Sequence, residues 1–321
     1  VLKPSTARLC DSYDAALLDL DGVVYLGPDP IPQAAAAVAT ARAAGMRTAF
    51  VTNNASRRPA AVAQHLSQLG IPAQPADVVT SGQAAVRWLA ERLVPGDKVL
   101  VLGSPGLAEE VEAGGFAPVR QATGAAAVVQ GLEPRTAWTD LAEAAVAIEA
   151  GALWVAGNTD ATYPSPRGLL PGNGALVEAL VLTTGKRPVV VGKPEPELHR
   201  ASVERVQAAH PLVVGDRLDT DVLGANRAGT DSLLVLTGVT RREELVAARP
   251  ELRPTYLSSD LRGLVSSHPE VVVDGDTAFC REARAWVDDD GGGGIGRVVG
   301  SDDSDDALRA RCALAWLRSG Q

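Results

Sequence analysis

Short apolar runs alternate along this chain with longer segments whose apolar residues recur at helical spacing. Ala15-Ala16-Leu17-Leu18 is too short for a helix and reads as a buried strand, left through Gly22. Pro32 opens an alanine-rich helix that Gly45 closes. Met46 to Val51 is the next strand and ends on Thr52-Asn53-Asn54. Ser56 can cap a following helix, with Pro59 in its first turn and Gly70 beyond its end. Val78-Val79-Thr80 is a third strand. Strand–helix repetition with short polar loops predicts an α/β fold built on a doubly wound, Rossmann-like parallel sheet.

Between residues 83 and 186 the chain leaves that rhythm. Strands are expected near Lys98–Leu102, Ala126–Gln130 and Leu153–Ala156, and helices near Pro105–Glu112, Thr139–Glu149 and Asn173–Thr183. The segment is long enough to be an inserted α/β cap domain. Polar residues, prolines and glycines from Gly157 to Gly174 predict a shaped, rigid loop able to serve as a substrate-facing lid. The core resumes with strands at Pro188–Val191, Leu212–Val214 and Leu233–Leu236, and Leu261–Val265 reads as its terminal helix. Past Ser266, Arg284–Asp288 and Ile295–Val299 are expected to form a hairpin around Gly291–Gly294, followed by a helix over Asp306–Leu317. The expected domains are therefore a core of 1–82 and 187–265, a cap of 83–186 and a tail of 266–321.

Composition narrows the class. A chain of 321 residues with 46% hydrophobic content can bury a sizeable core. A net charge of −9 argues against nucleic acid as a partner. Three widely spaced cysteines with no Cys-x-x-Cys fit a reducing cytosol better than a disulfide framework or a zinc site. No apolar run approaches membrane length and no signal peptide is recognisable, so a cytoplasmic protein without a membrane partner is expected.

The polar residues at the strand ends carry the chemistry. Alternation along the first strand puts Leu18 and Leu20 on one face and sends Asp19 and Asp21 to the other. Two carboxylates so placed repel unless a cation or a shared proton compensates, and Asp-x-Asp supplies the hard oxygens that Mg²⁺ prefers. Alone, Asp-x-Asp-Gly reads better as a solvated turn, and the rest of the chain reverses that. Thr52 and Asn53 end the next strand, where a hydroxyl and an amide can donate to phosphate oxygens without adding charge. Lys193, flanked by Gly192 and Pro194, follows a strand directly and offers a point charge for phosphate. Asp216, Asp219 and Asp221 follow another. All of these are expected on one edge of one sheet.

As a set, Asp19-Leu20-Asp21-Gly22-Val23, Val51-Thr52-Asn53-Asn54, Gly192-Lys193-Pro194 and Gly215-Asp216 followed by Thr220-Asp221 resemble the haloacid dehalogenase superfamily of phosphatases. The Thr-Asn-Asn form and the position of the insertion are similar to the large-capped 4-nitrophenylphosphatase/phosphoglycolate phosphatase branch. The resemblance covers roughly residues 14 to 265 and leaves the tail outside; Asn158-Thr159-Asp160 stands where the family usually has Asn-Pro-Asp. It implies an Mg²⁺-dependent phosphomonoesterase. Asp19 is then the nucleophile that becomes an aspartyl-phosphate, and Asp21 the general acid and base. Asp19, Asp216 and the carbonyl of Asp21 hold the metal, and Asp221 orients Lys193 or the metal shell. Thr52, Asn53, Asn54 and Lys193 bind the substrate, with Asn158, Asp160 and Arg167 as cap contacts.

Among the substrates known in that branch, glycerol 3-phosphate is the first expectation and 2-phosphoglycolate the second. The Thr162–Pro171 stretch offers only Tyr163 for stacking, which disfavours pyridoxal phosphate and nucleoside monophosphates. Caps of this size also imply a homodimer. A phospho-accepting receiver domain is the non-enzymatic alternative. Such a domain lacks both the domain-sized insertion and the second aspartate two residues after the first. A dehalogenase would lack Asp21, and a phosphomutase would need a second phosphorylated substrate.

Overall fold

A computed structural model of the chain describes residues 2–165, 168–287 and 304–318. Its contacts divide it into two units, Val1–Phe50 with Gln68–Ile71 and Val206–Gln321, and Val51–Ser67 with Pro72–Arg205. The second takes in all of 83–186 together with flanking residues, so these units and the expected domains do not share boundaries.

In the first unit, Ala15–Leu18 is buried at every position, as an apolar run covered on both faces must be. It pairs in parallel with Arg47–Thr52 on one side and with Pro211–Gly215 on the other. Asp231–Val235 and Tyr256–Ser258 continue the sheet beyond Pro211–Gly215, again in parallel. The chain thus leaves its first strand in one direction and returns for the later strands on the opposite side. That reversal makes the ends of Ala15–Leu18 and Pro211–Gly215 a topological switch point, where open α/β sheets bind ligands.

One expectation for this unit needs correction and one is refined. Tyr256–Ser258 is a strand where none was foreseen, because three residues after a proline carry too little pattern. Leu261–Val265 is helical with the expected bounds but of the tighter 3-10 type, capped by the Asp260 carboxylate accepting from Arg262 N.

The tail also differs. Val272–Asp274, Thr277–Cys280 and Ala283–Trp286 form an antiparallel sheet, so the strand expected at Arg284–Asp288 pairs with Thr277–Cys280. Its expected partner Ile295–Val299 and the glycine run lie outside the described residues. The helix Asp305–Arg318 is buried on two sides. Ala310 and Leu314 pack with Ala278, Cys280 and Ala285 of the small sheet. Leu308, Cys312 and Trp316, spaced by four, pack with Leu2, Leu218, Val222, Leu234 and Leu245. The tail helix is therefore part of the first unit's core and not an appendage.

The second unit has its own parallel sheet, ordered Val189–Val190, Leu153–Ala156, Ala127–Gln130, Lys98–Leu102 and Ala117–Val119. Helices Trp138–Glu149 and Asn173–Thr184 pack against each other, and a cluster including Leu100, Val128, Ile148, Trp154 and Leu180 fills the interior. The strand before Lys193 belongs to this sheet, paired with Leu153–Ala156, and does not continue the sheet of Ala15–Leu18. The polar stretch after Gly157, expected as a shaped and rigid loop, contains an antiparallel hairpin, Thr162–Ser165 with Gly168–Pro171.

Candidate active site

Adjacent parallel strands end on the acids. Leu18 lies opposite Val214, and Asp19 N donates to Val214 O at 2.8 Å. Asp19 and Asp216 thus follow neighbouring strands at the switch point. One carboxylate oxygen each from Asp19, Asp216 and Asp221 lies within 4.8 Å of the others. Asp216 and Asp221 are each only 1% exposed, so solvent cannot screen their repulsion well. Clustered, hard, mostly buried oxygens are a donor set that fits Mg²⁺.

The backbone is shaped to admit these acids. Gly22 takes φ +89°, and a Cβ there would come within 2.5 Å of an Asp216 carboxylate oxygen. Gly238 and Gly215 are closer still, to Asp216 and Asp221 respectively, so side chains at either would displace the acids. Val239 N donates to Asp216 Oδ2 at 2.7 Å, and Arg217 N donates to Asp221 Oδ2 at 3.2 Å. The Thr237 hydroxyl donates to Gly22 O.

Thr237, Gly238 and Val239 were missed from sequence. Their signal was a threonine–glycine pair just past an apolar strand, the same grammar that exposed Asp216. Asp219 departs from the group: its carboxylate pairs with the Arg217 guanidinium at 2.8 and 3.0 Å, and that bond holds it below the usual aspartate range. Asp221 sits in the π turn Leu218–Val222 and joins the acidic cluster itself. Asp21 is exposed.

The second unit holds the phosphate-binding candidates. The Thr52 hydroxyl accepts from Asn54 N at 3.1 Å, which leaves its own proton available to a ligand. Asn54 Oδ1 accepts from Ser56 N and Oγ, closing a local turn. The Asn53 side chain clamps the backbone of Lys193, accepting from its N at 2.7 Å and donating to its O at 3.0 Å. Lys193 is 5% exposed, its Nζ 3.4 Å from Val51 O.

Asn158 does not present its amide as a cap contact would. It is buried, donates to Asn53 O at 2.8 Å and accepts from Asp160 N at 3.1 Å. Asp160 is half-buried, and Arg167 lies outside the described residues. Ser81, also unforeseen, donates to Asn53 O at 2.6 Å.

Acids gathered at a switch point suit a hydrolase that works on a compact anion, and the sequence comparisons give that class its name. Residues 16–117 match the model described as haloacid dehalogenase-like hydrolase, and residues 190–264 match a second, HAD-hydrolase-like model. The chain belongs to the haloacid dehalogenase-like hydrolases. More particularly, it is 48% identical over 299 residues to D-glycerol 3-phosphate phosphatase of Mycobacterium tuberculosis, covering 93% of this chain and 82% of that one. The crystal structure of glycerol phosphate phosphatase from the same organism in complex with magnesium is similar at a TM-score of 0.84 and 44% identity, over 97% of this chain and 93% of that one. The p-nitrophenyl phosphatase of Archaeoglobus fulgidus is similar at a TM-score of 0.75 and 31% identity, over 79% of this chain and 98% of that one.

Proposed function

We propose that the protein is an Mg²⁺-dependent phosphomonoesterase that hydrolyses glycerol 3-phosphate to glycerol and phosphate. The observation that carries the chemistry is the cluster of Asp19, Asp216 and Asp221 carboxylates at the switch point. Similarity to a glycerol 3-phosphate phosphatase supports the choice of substrate.

Asp19, Asp216 and the Asp21 carbonyl would hold the metal, with Asp221 beside them. When bound, Mg²⁺ neutralises the acids and the phosphate charge that would otherwise repel the attack. Lys193 and the Thr52 hydroxyl hold phosphate oxygens and absorb developing charge. An Asp19 oxygen bonds to phosphorus as the ester P–O bond breaks, and the leaving alkoxide takes the proton of Asp21. The Asp21 carboxylate then takes a proton from water as that water attacks the aspartyl-phosphate, freeing Asp19 and phosphate.

The same reading makes 83–186 the cap over a core of 1–82 and 187–265. Asp160 supplies a polar contact to the glycerol end; Arg167, the other candidate, lies outside the described residues. Trp138 and Leu182, 79% and 87% exposed on helices Trp138–Glu149 and Asn173–Thr184, support a homodimer through that segment. Among the described residues no helix is long and apolar enough to cross a membrane, and we place the enzyme's work in the cytoplasm.

A turnover panel with Mg²⁺ over glycerol 3-phosphate, 2-phosphoglycolate, pyridoxal phosphate and nucleoside monophosphates tests the proposal. Glycerol 3-phosphate should give the highest kcat/KM, and excess chelator should abolish turnover. Preference for another member of the panel would overturn the substrate, and full activity in chelator would overturn the metal.

A further inference from the structure

We infer that Asn158 is a positioning residue, which aims Lys193 by way of Asn53 and couples the cap hairpin to the phosphate-neutralising lysine. The inference rests on the phosphate-holding role proposed for Lys193.

The Asn53 side chain pairs with the Lys193 peptide on both sides, donor to carbonyl and acceptor to N–H, as a neighbouring strand would. Gly192 leaves no slack beside that pairing, since a Cβ there would strike Gly157 O and lie 2.7 Å from Asn53 Oδ1. The direction taken by Lys193 is therefore set by where Asn53 sits. Asn53 is held in turn through its carbonyl, which accepts from Ser81 Oγ at 2.6 Å and Asn158 Nδ2 at 2.8 Å.

Asn158 also stands at the foot of the hairpin. Its carbonyl accepts from Asn173 Nδ2 at 2.7 Å, and its Oδ1 accepts from Asp160 N. Gly172 N donates to Ala161 O and Gly174 N to Asp160 O, both at 2.9 Å, so both ends of the hairpin are tied at this point. An unbroken path of hydrogen bonds thus leads from Asn173 and the hairpin base through Asn158 and Asn53 to Lys193. Each end of the Asn158 amide has a backbone partner, a pairing that needs a donor and an acceptor on one side chain, as asparagine provides.

The test compares Asn158→Ala, Ser81→Ala and Lys193→Ala, singly and combined, on glycerol 3-phosphate and on 4-nitrophenyl phosphate, with orthovanadate as a phosphate mimic. A lysine displaced by a fraction of an ångström weakens the phosphate step itself. Asn158→Ala should therefore lower kcat/KM by about ten- to a hundredfold, by the same factor on both substrates, and weaken orthovanadate inhibition. In the Lys193→Ala background the same change should cost less than about twofold, because there is no lysine left to aim. Ser81→Ala removes the other donor to the same carbonyl; it should give a smaller loss of the same pattern, and it carries the test if Asn158→Ala does not fold.

A loss confined to glycerol 3-phosphate would make Asn158 a reader of the leaving group and overturn the inference. So would a full-sized loss that persists without Lys193, or unchanged activity in both single variants. Wild-type protein inactive on both substrates would overturn the phosphatase reading, and the inference with it.

Discussion

Gly22→Ala tests how tightly the backbone confines the clustered acids proposed to hold the metal. Two penalties separate by location. The first is conformational: at φ +89° an L-residue is strained, at a cost of about 1–2 kcal/mol. That amounts to a fall in Tm of roughly 2–8 °C. The second is local: the new Cβ would lie 2.5 Å from Asp216 Oδ2, where real contacts begin at 3.0–3.4 Å, so the carboxylate must retreat by 0.5–0.9 Å. Metal–oxygen distances tolerate only about 0.2 Å. A displacement several times larger should cost about a hundredfold in kcat/KM and raise the Mg²⁺ concentration needed for half-activity.

Gly229→Ala is the control. Gly229 also has positive φ, +66°, but nothing lies within 4 Å of its missing Cβ, so it should show the thermal penalty with unchanged activity. The assays are 4-nitrophenyl phosphate turnover over a magnesium series and differential scanning calorimetry of both variants. Wild-type kcat/KM in Gly22→Ala, or equal losses in the two variants, would refute the claim that Asp216 is held by backbone contact.

Three further outcomes are expected. Asp19→Asn should abolish turnover in a folded protein, whereas Asp21→Asn should keep slow attack on aryl phosphates whose leaving group needs no proton; substantial activity in Asp19→Asn would place the nucleophile elsewhere. Trp316 is 3% exposed and its Nε1 donates to Leu245 O at 3.2 Å, so Trp316→Ala should cost about 3–5 kcal/mol in denaturant titration. An unchanged midpoint would return the tail helix to the status of an appendage. Burial pushes the His268 imidazole below its usual value, opposed by the Gly263 carbonyl and reinforced by Arg309 beside it. The unfolded chain then takes up the proton first, so this share of stability is complete above the ordinary imidazole pKa and is lost as pH falls through it towards the folded value. Melting from about pH 7 to about pH 5 should show a smaller loss in His268→Gln than in wild type, and parallel curves would dismiss the burial argument.

What the sequence determined by itself was local. Four apolar residues followed by Asp-x-Asp-Gly state a buried strand, its end and an acidic pair, because alternation and the glycine exit act over a few bonds. The same grammar placed Asp216 and Asp221 beyond Leu212–Val214, and these acids do gather with Asp19. Tertiary structure decided which strands are neighbours. Val189–Val190 reads like any core strand, yet its hydrogen bonds go to Leu153–Ala156, so Lys193 rides on the other sheet. The choice of pairing partner is a contest between surfaces distant along the chain, and two residues carry no mark of its outcome. Side-chain roles followed the same rule. Asn158 has the composition of a ligand contact, but its amide is used by Asn53 and Asp160, partners 105 and 2 residues away. Only the folded chain brings the far partner within reach, and a buried amide must then satisfy the groups it meets.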